Sequence, residues 1–262
     1  MFYGEGRGRK SGTMIAFLSD IHSNLEALTA VLAELDRRGI EDIVCLGDIV
    51  GYGPNPIECI DLVAARCKVT LMGNHDFAVF YEPYNFNAGA EQASYWTREC
   101  FETDGDASRR GQRWKFLGSL PVRVKTAQFV GVHASPRRPI NEYLFPDDIY
   151  TNPGKFVSIF ERFERLCFVG HTHVPGVFLE GPDFYSPDEL DGAFEITEEK
   201  AIINVGSVGQ PRDRDPRSSL VILSDHQVEF VRVPYDVETT IQKVEAIPDL
   251  DDFLGTRLRD GR

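Results

Sequence analysis

The chain has 262 residues, a net charge of −13 and 42% hydrophobic residues, long for one domain but within reach of an α/β fold with a sizeable core. That acidity argues against a nucleic-acid-binding surface, which carries a basic stripe, and it reads as solubility; an anionic substrate would need its attraction supplied locally, by metal. Five cysteines, an odd number without CxxC spacing, exclude a disulfide framework and fit a reducing compartment, and no apolar run approaches a membrane span, so a cytoplasmic protein with no membrane partner is expected.

Residues 1–13 are rich in Gly, Arg and Lys and lack the apolar centre of a secretory signal. They read as a disordered extension, with a single domain over residues 14–262. Ile15 to Leu18 is a short apolar run, as in a buried strand, and it ends at Asp20 and His22. Ser23 and Glu26 have the S-x-x-E spacing of a capping box. Leu25, Leu28, Val31, Leu32 and Leu35 then recur at helical spacing until Gly39. Residues 42–47 form a second strand ending at Asp48. Strand, helix and strand in this order imply parallel pairing.

Residues 51–56, Gly-Tyr-Gly-Pro-Asn-Pro, make a turn-rich loop in which Tyr52 and Asn55 are candidates to line a pocket. A short helix follows at 56–65. A third strand at 69–73 ends in Asn74, His75 and Asp76. Residues 86–101 and 109–120 are expected to be helical, forming an insertion over about 86–120. That insertion serves either as a cap on one side of the site or as a packed outer layer. Residues 122–132 give two strands and end at His133. A helix over 153–165 has Pro in its first turn. Residues 166–170 lead to His171 and His173. Beyond them come short β segments at 174–179, 201–205, 220–223 and 228–233, with a hairpin turn at 224–227. Residues 180–200 read as an acidic, solvated loop, and 237–262 as helical.

One event repeats along this chain: an apolar run delivers a metal-type ligand at its end. In open α/β sheets that is where ligands bind. Asp20, His22, Asp48, Asn74, His133, His171 and His173 offer nitrogen and oxygen without thiolate, which suits Mn, Fe or Zn. These are too many donors for one ion and about right for two that share a carboxylate. Two ions roughly 3.5–4 Å apart form the clamp used for in-line phosphoryl displacement, and a metal-bound water, its pKa lowered to about 7, becomes a nucleophile.

The ordered blocks Asp20-Ile21-His22, Gly47-Asp48, Gly73-Asn74-His75-Asp76, His133 and Gly170-His171-Thr172-His173 resemble the D-x-H, G-D, G-N-H-D, H, G-H-T-H pattern of the calcineurin-like metallophosphoesterase superfamily. The chain looks most like its bacterial branch related to diadenosine tetraphosphatases and Ser/Thr protein phosphatases. The resemblance implies a four-layer αββα sandwich, two mixed β-sheets flanked by helices, with the metal site at the C-terminal edge of the strands. It implies Asp20, His22 and His173 on one ion, Asn74, His133 and His171 on the other, and Asp48 bridging. It implies that His75 faces the substrate and stabilises or protonates the leaving oxygen.

The chain departs from the protein-phosphatase branch past Asp48. There the branch carries an Asp that orients the catalytic His and an Arg that grips phosphate; here stand Val50-Gly51-Tyr52-Gly53. Asp76 is then the candidate partner of His75. Arg212 is the first candidate for the phosphate, with Arg137 and Arg138 behind it. The implied function is a dinuclear metal-dependent phosphoesterase. A phosphomonoesterase acting on a phosphorylated small molecule or nucleotide leads, and a protein substrate is compatible. The alternatives are a dinucleoside polyphosphate hydrolase or a cyclic phosphodiesterase. A non-catalytic module of this fold lacks the catalytic His, so His75 argues against that class. The acidic charge argues against a nuclease.

Overall fold

The computed structural model describes residues 14–181 and 183–262; the extension read at 1–13 lies outside the described residues. In chain order the elements begin β1 (Ile15–Leu18), α1 (Leu25–Arg38), β2 (Asp42–Cys45), α2 (Pro56–Arg66), β3 (Val69–Thr70), α3 (Asn74–Phe80), α4 (Ala88–Thr103) and α5 (Ala107–Ser119). They continue β4 (Arg123–Lys125), β5 (Phe129–Val132), α6 (Asp148–Thr151), α7 (Pro153–Phe160), β6 (Leu166–Val169), β7 (Gly176–Leu179) and β8 (Asp183–Tyr185). The last are β9 (Ala193–Glu195), β10 (Ala201–Asn204), β11 (Ser218–Leu223), β12 (Gln227–Val233), α8 (Val237–Glu245), α9 (Asp252–Thr256) and a 3₁₀ turn, Arg257–Asp260. Among the described residues no helix is long and apolar enough to cross a membrane.

The strands form two six-stranded sheets, ordered β3-β2-β1-β11-β12-β9 and β4-β5-β6-β10-β7-β8. Both are mixed. In the first, β1, β2 and β3 run parallel and β11 returns antiparallel against β1. In the second, β5, β6 and β10 are parallel, flanked by antiparallel β4 and β7.

Side-chain alternation along each strand builds the layers. Phe17 faces the other sheet, where it stacks on Phe168 at 3.8 Å and meets Phe129 edge-on at 4.9 Å. Its neighbours Ala16 and Leu18 face outward with Leu28, Val31 and Leu35 of α1. On the second sheet Phe168 points inward, while Cys167 and Val169 pack against Phe156, Ile159 and Phe160 of α7. Each fully buried ring contributes about 1.5–3 kcal/mol by leaving water. The result is the four-layer αββα sandwich. Phe101 of α4 and Leu117 of α5 belong to the outer cluster of the first sheet, so these two helices pack as an outer layer there.

Three local expectations are corrected. The cap of α1 is Asn24, whose side-chain oxygen accepts the N–H of Ala27 at 3.1 Å; Ser23 sits one residue early, its hydroxyl buried without a partner. Glu26 instead accepts from Thr240 of α8 at 3.0 Å, tying the first helix to the C-terminal ones. Residues 180–200 are not merely a solvated loop. They hold β8, which edges one sheet, and β9, which edges the other. Helix α7 stops at Phe160, because Phe163 turns back into the core against it at 5.5 Å.

Candidate metal centre

Asp20 and His22 follow β1, Asp48 follows β2, Asn74 and His75 open α3 just past β3, His133 follows β5, and His171 and His173 follow β6. The carboxyl ends of the parallel strands of both sheets thus open into one basin. Apart from half-buried Asn74, every one of these residues is buried.

Asp20, His22 and His173 form one nest. Nε2 of His22 lies 3.2 Å from Nε2 of His173, and Asp20 Oδ1 lies 3.2 Å from the latter and 3.8 Å from the former. A second nest centres on His133. Its Nε2 lies 3.1 Å from Asn74 Oδ1, 3.2 Å from His171 Nδ1 and 3.3 Å from Asp48 Oδ2. That same oxygen of Asp48 is 3.7 Å from His22 Nε2 in the first nest, so Asp48 stands between the two.

The outer nitrogens say where the lone pairs point. His22 Nδ1–H donates to the carbonyl of Val50 at 3.3 Å, and His173 Nδ1–H to that of Gln210 at 2.6 Å. A carbonyl only accepts, so each Nε2 turns a bare lone pair toward the other and toward carboxylate oxygen. Buried lone pairs that converge in this way repel unless a cation lies among them. Asp20 Oδ1 is itself buried without a hydrogen-bond partner. The residues present therefore fit metal ions with nitrogen and oxygen preferences.

A family model for calcineurin-like phosphoesterases matches residues 13–175. The chain belongs to that family. It is 39% identical to an uncharacterised protein of Methanocaldococcus jannaschii, over 95% of this chain and 99% of that one. Among solved structures it is similar to a metallophosphoesterase from Sphaerobacter thermophilus, with TM-score 0.81, 38% identity, and 96% of this chain and 100% of the other covered. A hypothetical protein from Pyrococcus horikoshii shares the fold, with TM-score 0.71 and 21% identity over 95% of this chain and 98% of the other. The protein is a metal-dependent phosphoesterase acting on phosphorylated substrates.

The basin of this phosphoesterase is tuned for cations. Burial alone would raise the Asp48 carboxyl, but the imidazoles of His133, His75 and His22 hold it well below the usual range. Burial lowers His22, His173 and His171, the last to about 3, and keeps them neutral as ligands must be. His133 is the exception. Burial opposes its protonation, yet the adjoining Asp48 carboxylate pushes it up to about 9.

Backbone geometry holds the donors in place. Asp20, His22, Asp48, His171 and His173 all have positive φ, between 49° and 67°, a region open mainly to Gly, Asn, Asp and His. Each is tied down: Asp20 N–H donates to Gly47, His22 N–H to the Asp48 carbonyl, and His171 N–H to Asp20 Oδ2 at 2.9 Å. The loop after β10 braces them from below. Gly209 N–H donates to the Asp20 carbonyl, as does the Ser207 hydroxyl at 2.8 Å. Asn204 donates to the Gly170 carbonyl at 2.9 Å and to the Thr172 hydroxyl at 2.7 Å.

Asp76 does not touch His75; it is a brace for Asp48. One of its oxygens accepts from the N–H groups of Asp48 and Gly73, the other from those of Ile49 and Val50, at 2.8–3.3 Å. Burial and the charge of Asp48 push its carboxyl up to about 7 against the pull of those donors. Asp76→Ala leaves four buried N–H groups unmatched. It is expected to cost at least about 3 kcal/mol, or roughly 6–12 °C in calorimetric Tm. An unchanged Tm would refute the bracing role.

His75 is placed by packing. Its ring lies 4.3 Å from that of Tyr52, 4.6 Å from Phe86 and 4.8 Å from His22, and its Nδ1 has no hydrogen-bond partner. Gly51, at φ +89°, passes so close that a Cβ there would sit 2.5 Å from that nitrogen. Burial lowers His75 to about 4, so it is neutral at neutral pH.

The arginines divide. Arg137 is occupied, its guanidinium paired with Glu142 and donating to Ser158 at 2.9 Å, so it offers no free fork. Arg138 is exposed on the wall of a neighbouring cavity. Arg212 donates its backbone N–H to the His173 carbonyl at 3.2 Å. Its guanidinium lies 6.0 Å from the Tyr52 ring centre and donates one N–H to Gln210 Oε1 at 2.6 Å, while its Nε is buried without a partner. Arg257, from the 3₁₀ turn, donates its Nε–H to the Arg262 carbonyl and lies over the Phe253 ring at 5.4 Å; burial and the Arg212 charge lower it to about 10.

Proposed function

We propose that the chain is a two-metal phosphomonoesterase. The observation that carries the reading is the pair of nests sharing Asp48, with His75 and Arg212 on the rim beside them. Asp20, His22 and His173 would hold one ion and Asn74, His133 and His171 the other, with Asp48 between; manganese, iron or zinc suits these donors. Bound there, the ions supply Lewis acidity and an activated water. Neutral His75 carries one N–H, which donates to the oxygen of the departing group and stabilises the charge that develops on it. Arg212 forks the phosphoryl oxygens, and its contact with His173 fixes its reach.

The Arg212 guanidinium, with the positive charge of Arg257 felt beside it, favours a phosphoryl group with two negative charges over one with a single charge, which supports a monoester over a diester. With Mn added and metal content measured, p-nitrophenyl phosphate should turn over faster than bis(p-nitrophenyl) phosphate. The opposite ranking would favour the diesterase reading, and no hydrolysis of either by metal-loaded protein would end the proposal. Arg212→Ala should lower kcat/KM for the monoester by roughly 10- to 100-fold, the loss of one charge-assisted contact. It should affect the diester less; an equal loss on both would remove Arg212 from the dianion's recognition.

A further inference from the structure

Beside the metal centre lies a cavity of about 630 Å³ that shares Asn74 and His171 with it. We infer that this cavity is a subsite for the organic half of the ester and that it is shaped for a nucleobase, an inference that rests on the phosphoesterase reading above for its orientation. Position comes first. Phe86 lines the cavity and packs against His75 at 4.6 Å. A leaving oxygen held by His75 therefore directs the group it carries past Phe86 and inward. The volume falls within the range of about 300–1,000 Å³ typical of small-molecule sites.

The lining is chemically particular. Tyr143 lies flat on the His171 ring at 4.0 Å and 25°, and is backed by Phe145 at 5.2 Å and 4°. It is a fixed plate rather than a swinging side chain, yet 44% of it is exposed. Tyr84, also on the wall, is 76% exposed. Tyr143, stacked on both His171 and Phe145, offers its exposed edge, and Tyr84 an open face, to a planar partner.

Asn85 and Asn141 line the same cavity. Among the described residues neither makes a side-chain hydrogen bond within the protein, so both donors and acceptors are available. Stacking faces with free amide edges are what an unpaired base requires: a ring sandwiched flat and its polar edge read by hydrogen bonds. A plain phenyl group would use the faces and leave the amides idle. The phosphate end, meanwhile, is served by Arg212, which does not line this cavity. A nucleoside phosphate fills both halves.

Adenosine is the probe, because it contains no ester and its binding does not depend on turnover. In ligand-observed NMR titrations of the metal-loaded protein, adenosine should bind at least several-fold tighter than ribose and than phenol. Phe86→Ala should weaken adenosine roughly tenfold, in line with the loss of one stacking face, and Phe86→Leu, which keeps the packing volume, should weaken it too. Asn141→Ala should weaken adenosine while leaving phenol unchanged. Phenol or ribose binding as tightly as adenosine, or adenosine indifferent to both Phe86 variants, would overturn the assignment. A chain that binds adenosine in this pattern but hydrolyses no phosphoester would reject the proposed function and leave the subsite standing.

Discussion

Asp48→Asn is expected to yield a folded chain that retains little metal and almost no phosphoesterase activity. The amide keeps the shape of the carboxylate, and its oxygen can still accept the His75 N–H, which Asp48 Oδ1 takes at 2.8 Å. That bond comes from the backbone N–H of His75, not its ring; what the substitution removes is the negative charge shared by both nests, 3.3 Å from His133 and 3.7 Å from His22. Without that charge Asp20, confined to the first nest, is left alone to offset a pair of cations. Metal content by elemental analysis should fall by more than half, and kcat should drop by roughly 10³-fold or more, about 4 kcal/mol of barrier. Circular dichroism should remain that of the parent chain, since the β-sheet cores do not involve Asp48. Full metal content together with full activity would remove Asp48 from the centre of the chemistry.

His75→Ala is expected to separate binding from chemistry. The ring contacts Tyr52, Phe86 and His22 but is held by no hydrogen bond through Nδ1. Its removal should leave metal content near that of the parent chain. A positioned proton donor contributes about 10²–10⁴-fold, so kcat for an alkyl phosphate should fall by that order. For p-nitrophenyl phosphate, whose leaving group needs little help, the loss should be much smaller. That contrast between leaving groups is the decisive readout. Equal losses on both substrates would point to a ring that merely shapes the pocket, and a loss of metal would make it a ligand.

The donors were readable in the sequence because their signal is local. A run such as Phe17-Leu18 must be buried, and a polar residue just past it must sit at the strand's end, so Asp20 and His22 declare their place within a few residues. The layers follow from the same alternation, as Phe17 and Phe168 illustrate. What escaped has no local trace. Asp76 stands at the strand end as its spacing implies, but its partners are the backbone N–H groups of Gly73 and residues 48–50 rather than the His75 ring. The charge of Arg257 is felt at Arg212 only because α8 and α9 fold back on α1, held there through Thr240 and Glu26. The cap at Asn24 lost to Ser23 on spacing alone; the tight turn after His22 decides between them. Strands β8 and β9 are short and stand at sheet edges, where polar faces hide the period-two pattern.

The left-handed backbone at Asp20, His22, Asp48, His171 and His173 limits how far this centre can be retuned. A conformation that costs most side chains about 1–3 kcal/mol is tolerated best by aspartate, asparagine and histidine, which are also the residues the chemistry wants. Engineers seeking a softer ion through cysteine, or a harder one through glutamate, would meet a conformational toll at each exchange before any gain in selectivity. Asn74, which opens a helix instead, escapes that constraint and is the position where a change of metal preference should be cheapest to install.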